Sequence, residues 1–243
     1  MTRQDRNPHN QSAPSLVSYA LGEIEATAKK AARGAGYHWG EAEDSSKAVR
    51  WLQTYGFNGC LALAQTLAQG FAQDDDAHKH SPEVLTANWQ SASGALLCPL
   101  KTGMALSDFC FRFYKEQITI LSLAQPLLIL PFIAFCAHRL GQSFRLDCDG
   151  ALVHLSYDKI SCDEAALKVL QQPLAQKLVV SISAQQHEAF AASAENIRKA
   201  QFMRAELKPE DFASLNHFAQ KTYAPATEES RILGAGAGLN DND

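Results

Sequence analysis

A chain of 243 residues, 46% of them apolar, is long enough for one large hydrophobic core or two small ones. With 20% charged residues and a formal net charge of −4 at pH 7, it lacks the basic excess that marks an electrostatic nucleic-acid binder. Its six cysteines form no C-x-x-C pair and sit among apolar or strand-like residues, which favours reduced, buried thiols over a disulfide or zinc framework.

In chain order, "MTRQDRNPHNQSAPS" is polar and has no apolar h-region, so residues 1–14 are expected as a disordered tail of a cytoplasmic protein. Val17, Leu21, Ile24, Ala28 and Ala31 recur at steps of three and four and predict a first amphipathic helix. Ala42, Ser45, Val49 and Leu52 predict a second. Leu61, Ala64, Ala68 and Phe71 predict a third after Asn58-Gly59. "QDDDAHKHSP", residues 73–82, reads as a surface loop, and its His78, His80 and aspartates are too loosely spaced to argue for a metal site. "ALLCPL" (95–100) reads as a short buried strand and 107–116 as a helix.

Residues 118–137, "ITILSLAQPLLILPFIAFCA", have the length of a membrane span but contain Thr119, Ser122, Gln125 and two prolines. Pro126 and Pro131 divide the stretch into an extended first half and a helix running to Leu140, and this is the preferred reading. From Phe144 the apolar period becomes two. "FRLDC" and "LVHLSY" flank Asp149-Gly150, a hairpin signal because both residues tolerate positive φ. Ser161 with Glu164 predicts a capping box for a helix through Leu167 and Leu170, stopped by Pro173. "KLVVSIS" (177–183) predicts a strand, and helices are expected over 187–204 and 209–221. The order predicts an α+β fold: one domain over 15–243, with a helical part at about 15–72 packed on a mixed part at about 90–243 that holds a small mixed sheet and closing helices.

Two segments carry candidate functional residues. In "ARGAGYHWGEAED", the glycine turn before a helix frees backbone N–H groups for an anion, Arg33 adds a guanidinium, and Gly34, Gly36, His38 and Trp39 line the turn. The competing reading is a tight corner between two helices, with glycines for geometry and acids for the helix dipole. In "TYAPATEESRILGAGAGLNDND", Tyr223, Glu228, Glu229 and Arg231 cluster before Gly234, Gly236 and Gly238. Arg33 and Arg231 are the candidate anion clamps, and Glu228, Glu229, Tyr223 and His38 are the candidates for proton transfer. The "DND" ending offers hard oxygen ligands, but no metal site is assigned to it and no cofactor is implied.

The blocks "ARGAGY-WG-AE", "A-RWL---G--G" and "TY-PA-E-SR--GAGAG--DND" together resemble a bacterial family of uncharacterised proteins, a domain of unknown function, over about residues 16–243. The resemblance implies an ordered terminus but supplies no activity. The first two helices and "GFNG" are also similar to the N-terminal hairpin of malate/lactate-type dehydrogenases lacking a Rossmann fold. That likeness covers about the first fifth of the chain. Asn58-Gly59-Cys60 stands where those enzymes carry a histidine. The expected function is binding or transformation of a small anionic metabolite, without nucleic-acid or membrane partners. The alternative is a non-catalytic accessory or assembly module, homodimeric through its C-terminal segment.

Overall fold

The computed structural model describes residues 15–74, 78–183, 197–198, 200–201 and 203–223. The chain opens with strand β1 (Val17–Ala20), followed by helices α1 (Leu21–Gly34), α2 (Trp39–Thr54) and α3 (Gly59–Ala68). A two-residue strand β2 (Asn88–Trp89) and helix α4 (Pro99–Asp108) lead to β3 (Ile118–Ala124) and α5 (Leu130–Leu140). Then come β4 (Phe144–Cys148), β5 (Ala151–Leu155), β6 (Ile160–Ser161), α6 (Glu164–Leu170) and β7 (Leu174–Ile182). The described residues close with β8 (Arg204–Leu207) and α7 (Pro209–Gln220). The fold is α+β: a six-stranded mixed sheet ordered β2-β3-β7-β4-β5-β6, a separate antiparallel pair β1-β8, and helices packed against both.

The apolar stretch 118–140 divides where its prolines dictate. β3 ends at Ala124, Gln125 takes a left-handed conformation (φ 42°), and Pro126–Ile129 form a 3₁₀ turn into α5. The helix α5 packs on α2 and α4 and also on β4 and β5. A helix between two layers is buried around most of its circumference, and this explains why Leu130–Leu140 is apolar on nearly every face. No helix among the described residues is long and apolar enough to cross a membrane.

The β4-β5 hairpin turns at Asp149 (φ 48°) and Gly150 (φ 90°), as the Asp-Gly pair predicts. Asp149 also ties the turn to β7, since its carboxylate accepts from the Gln176 N–H (3.0 Å) and the Lys177 N–H (2.8 Å). Phe144, Leu146, Val153, Leu155, Leu178 and Val180 turn one face of the sheet into the core. All six cysteines are buried and free. Burial pushes the thiols of Cys60, Cys136 and Cys148 up to about 12.

Several local expectations shift. Val17 lies in β1, not in the first helix. In α3 the inward face carries Cys60, Leu63, Ala64 and Leu67, while Ala68 is exposed, because this helix packs against α1, α2 and α7. The helix expected over 107–116 begins earlier, at Pro99, where proline suits the first helical turn, and only Cys110–Tyr114 follow as a 3₁₀ turn. Leu97 of the expected strand makes an isolated bridge to Leu123. The cap of α6 is Asp163, whose carboxylate accepts from the Ala166 N–H (2.7 Å), and Ser161 belongs to β6. The expected helix over 187–204 lies mostly outside the described residues, but its last residue, Arg204, opens β8 and pairs with Ala20.

Candidate functional site

The α1–α2 turn is built as a corner with a stacked cation. Gly34 ends α1 where α7 crosses: a Cβ there would lie 2.0 Å from the Phe218 carbonyl oxygen. Gly36 takes φ 103°, a conformation that glycine adopts without strain. Arg33 donates to the Tyr37 carbonyl, and its guanidinium lies 4.6 Å from the centroid of Trp39, an exposed ring. Tyr37 points into the core, where its hydroxyl meets Cys98 Sγ at 3.3 Å, and burial pushes its phenol well above the usual tyrosine range. The His38 N–H donates to Glu41 Oε2 (2.8 Å), which fastens the start of α2. Tyr223 accepts a hydrogen bond from Lys30 Nζ at 3.0 Å. The turn therefore brings Arg33, Gly34, Gly36, His38 and Trp39 into one neighbourhood. Glu228, Glu229, Arg231, Gly234, Gly236 and Gly238 lie outside the described residues.

Beside this corner, Gly36, His38 and Glu41 face Asp74, Lys101 and Asp108 across a cavity of about 590 Å³. Asp74 is engaged by Lys79 Nζ (2.8 Å) and His80 Nε2 (3.3 Å). Lys101 Nζ reaches the Phe71 carbonyl at 3.5 Å. No group of three or more metal-ligating side chains is found among the described residues.

A second cleft, of about 510 Å³, lies where β1 and β8 meet the end of α2 and the first turns of α3 and α7. Its floor is polar. The Gln53 amide, oriented with its oxygen toward α3, accepts from the Gly59 N–H (3.1 Å) and the Cys60 N–H (3.2 Å), and its nitrogen donates to the Phe57 carbonyl (3.2 Å). Asn58 Oδ1 accepts from the Leu61 N–H (3.1 Å). The start of α3 is thereby saturated by side chains. The other end of the Asn58 amide donates to Asp211 Oδ2 at 2.6 Å.

Asp211 stands in the first turn of α7 and is only 8% exposed. Among the described residues this carboxylate has one neutral hydrogen bond and no ion pair. A carboxylate so far out of water needs more donors than one amide. The rim carries two cations, Arg204 and Lys208, and one acid, Glu206. Arg204 is braced by Ser18, donating through Nε to Oγ (2.8 Å) and through Nη2 to the carbonyl (2.6 Å). Phe57, one wall of the cleft, carries the Arg198 guanidinium at 4.4 Å. Arg198 Nε has no acceptor among the described residues.

Sequence reasoning missed this cleft. Asp211 reads as a first-turn acid that suits the helix dipole, and Asn58 as a helix start. The packing of α7 on α3 and α1, together with the pairing of β1 with β8, brings these sequence-distant residues together. A signal was present in the block "A-RWL---G--G", whose glycines are Gly56 and Gly59. Gly56 takes φ 73° at the cleft. A Cβ on Gly59 would lie 2.9 Å from Leu52 Cβ, so both positions require glycine.

No curated protein and no solved structure matches the chain. The matching family model covers α1 to α4 with the corner and the Gln53–Asn58 half of the cleft, and stops short of Arg204 and Asp211. Residues 19–114 match the family described as Protein of unknown function (DUF3726).

Proposed function

We propose that the chain binds a small polar metabolite in the cleft between β1, β8 and the first turns of α3 and α7. The ligand offers an amine or hydroxyl donor to Asp211 and an anionic group to Arg204 and Lys208. The observation that carries this reading is the Asp211 carboxylate, nine-tenths buried on the wall of a cavity of about 510 Å³ and held by Asn58 alone among the described residues. A cavity of this size, with a few converging polar groups, suits a small molecule. Arg204, held in place by Ser18, and Lys208 are the cations of this cleft, whereas Arg33 stands at the separate α1–α2 corner against the Tyr37 carbonyl and the Trp39 ring. Where the bound molecule reacts, Asp211 is the acid–base group that touches it.

The test is a thermal-shift and calorimetric panel of amino acids, carboxylates, phosphorylated sugars and divalent metals on the full chain. A ligand that stabilises the protein should lose about tenfold or more in affinity, roughly 1.4 kcal/mol, in Asp211→Asn and in Arg204→Gln. Retention of the full response by both variants would sink the reading. Light scattering on the full chain and on a variant lacking residues 234–243 addresses the assembly alternative, under which the truncation weakens a dimer.

A further inference from the structure

A third cavity, of about 360 Å³, opens on a different face of α2, and its chemistry is unlike that of the cleft. Lys47, Arg50, Trp51 and Thr54 recur at steps of three, one and three, which places them on one stripe of the helix, away from Gln53. The walls are aromatic. The Trp51 and Tyr55 rings stand with centroids 4.7 Å apart at 44°, Phe135 of α5 closes one side, and Tyr157 stands opposite, braced by His138 at 4.1 Å. The Trp51 indole N–H is buried without an acceptor among the described residues. Burial, with Asp158 and Tyr157 nearby, pushes the Tyr55 phenol above its usual range, so the hydroxyl stays a donor at neutral pH.

The charges on the lining favour an anion: Lys47 and Arg50 stand against one acid, Asp158. Both cations have partners at the surface. Lys47 lies 3.5 Å from Glu43, and Arg50 lies 2.6 Å from Glu25. Exposed pairs of this kind contribute little in water, so their exchange for a ligand anion costs little. Aromatic walls select a planar ring, because stacking adds to simple area burial. The volume admits a ligand of one or two rings.

We infer that this cavity binds a small planar aromatic anion, with its ring against Trp51, Tyr55 and Tyr157 and its acidic group toward Lys47 and Arg50. The site is separate from the cleft and does not depend on the reading given to Asp211.

The test titrates 2-naphthoate into the ¹⁵N-labelled full chain and follows the indole N–H signal of Trp51, assigned by its loss in Trp51→Phe. Cyclohexanecarboxylate and 2-naphthylmethylamine serve as the non-aromatic anion and the aromatic cation. Naphthoate should shift the Trp51 signal and bind about tenfold more tightly than either control. Tyr157→Ala, at an exposed position that leaves the core intact, should weaken it several-fold, and the double variant Lys47→Gln/Arg50→Gln should erase the preference over the amine. An unmoved Trp51 signal, equal affinity for all three probes, or naphthoate binding indifferent to these variants overturns the proposal.

Discussion

Asp211 is more buried than it is bonded, and its behaviour under substitution is the sharpest residue-level consequence of the fold. Replacing Asn58 with Ala removes the α3 cap, at about 1 kcal/mol, and also strips Asp211 of its hydrogen bond, at about 1–3 kcal/mol more. Denaturant unfolding of Asn58→Ala, Asp211→Ala and the double variant, each single change removing one partner of the bond, should therefore give a coupling energy; strictly additive losses would mean the two side chains do not share a bond. His154 makes a second residue-scale prediction. Burial, and then the neighbouring Arg145, hold its imidazole below the usual 6.5. The folded state thus resists protonation that the unfolded state accepts. The stability this gives is complete above about pH 6.5 and fades as pH falls through the depressed native value. Melting temperatures measured between about pH 7.5 and 5 should fall less steeply in His154→Gln than in the parent; parallel slopes would exclude this histidine. The thiols supply a third prediction. A buried thiol pushed up to about 12, such as Cys60, stays protonated and unreactive at pH 8, so a thiol reagent should leave the native chain untouched and titrate all six cysteines after denaturation.

Among the elements, α1 and α7 make the contact on which the cleft depends, and one missing side chain permits it. A Cβ at Gly34 would meet the Phe218 backbone oxygen at 2.0 Å, and backbone cannot rotate aside as a side-chain end can. Gly34→Ala should cost about 2–4 kcal/mol and displace α7, with weakened ligand response in the cleft; a melting temperature within a degree or two of the parent would mean that the helices part easily. Gly103 has the same role beneath α5, since its Cβ would enter the Phe132 ring at 2.2 Å. Elements with a strong local signal were legible in the sequence: the 3.6-residue periods of α1 and α2, the Asp-Gly turn, the proline breaks around 126 and 131, and Pro209 at the start of α7. Signals that depend on neighbours were not. Whether Ser161 or Asp163 caps α6 is decided by β6 drawing Ser161 into the sheet, and the inward face of α3 is decided by three neighbouring helices that a periodicity count does not contain.

For the molecule as a whole, the sheet and the helical layer are stitched by pairings between distant parts of the chain: β3 with β7, and β1 with β8. The candidate site shares this property. On sequence alone, the α1–α2 corner is paired with the C-terminal segment, whose residues from 224 on lie outside the described ones. The cleft joins residues 53–58 to residues 201–211, and only long-range folding makes them neighbours. A chain cut after Ser183 lacks β8 and α7, and with them the partner of β1 and one of the helices packed on α1. It should bind a hydrophobic dye and aggregate on warming; a monodisperse, cooperatively melting fragment would show the helical layer to be self-sufficient. The pairing of Val17 with Leu207 also has a bearing on biosynthesis. While the ribosome is still working through the middle of the message, the first strand has no mate and the first helix has only α2 and α3 to pack on, without α7. The cleft itself is therefore complete only once translation has delivered the late strand and helix.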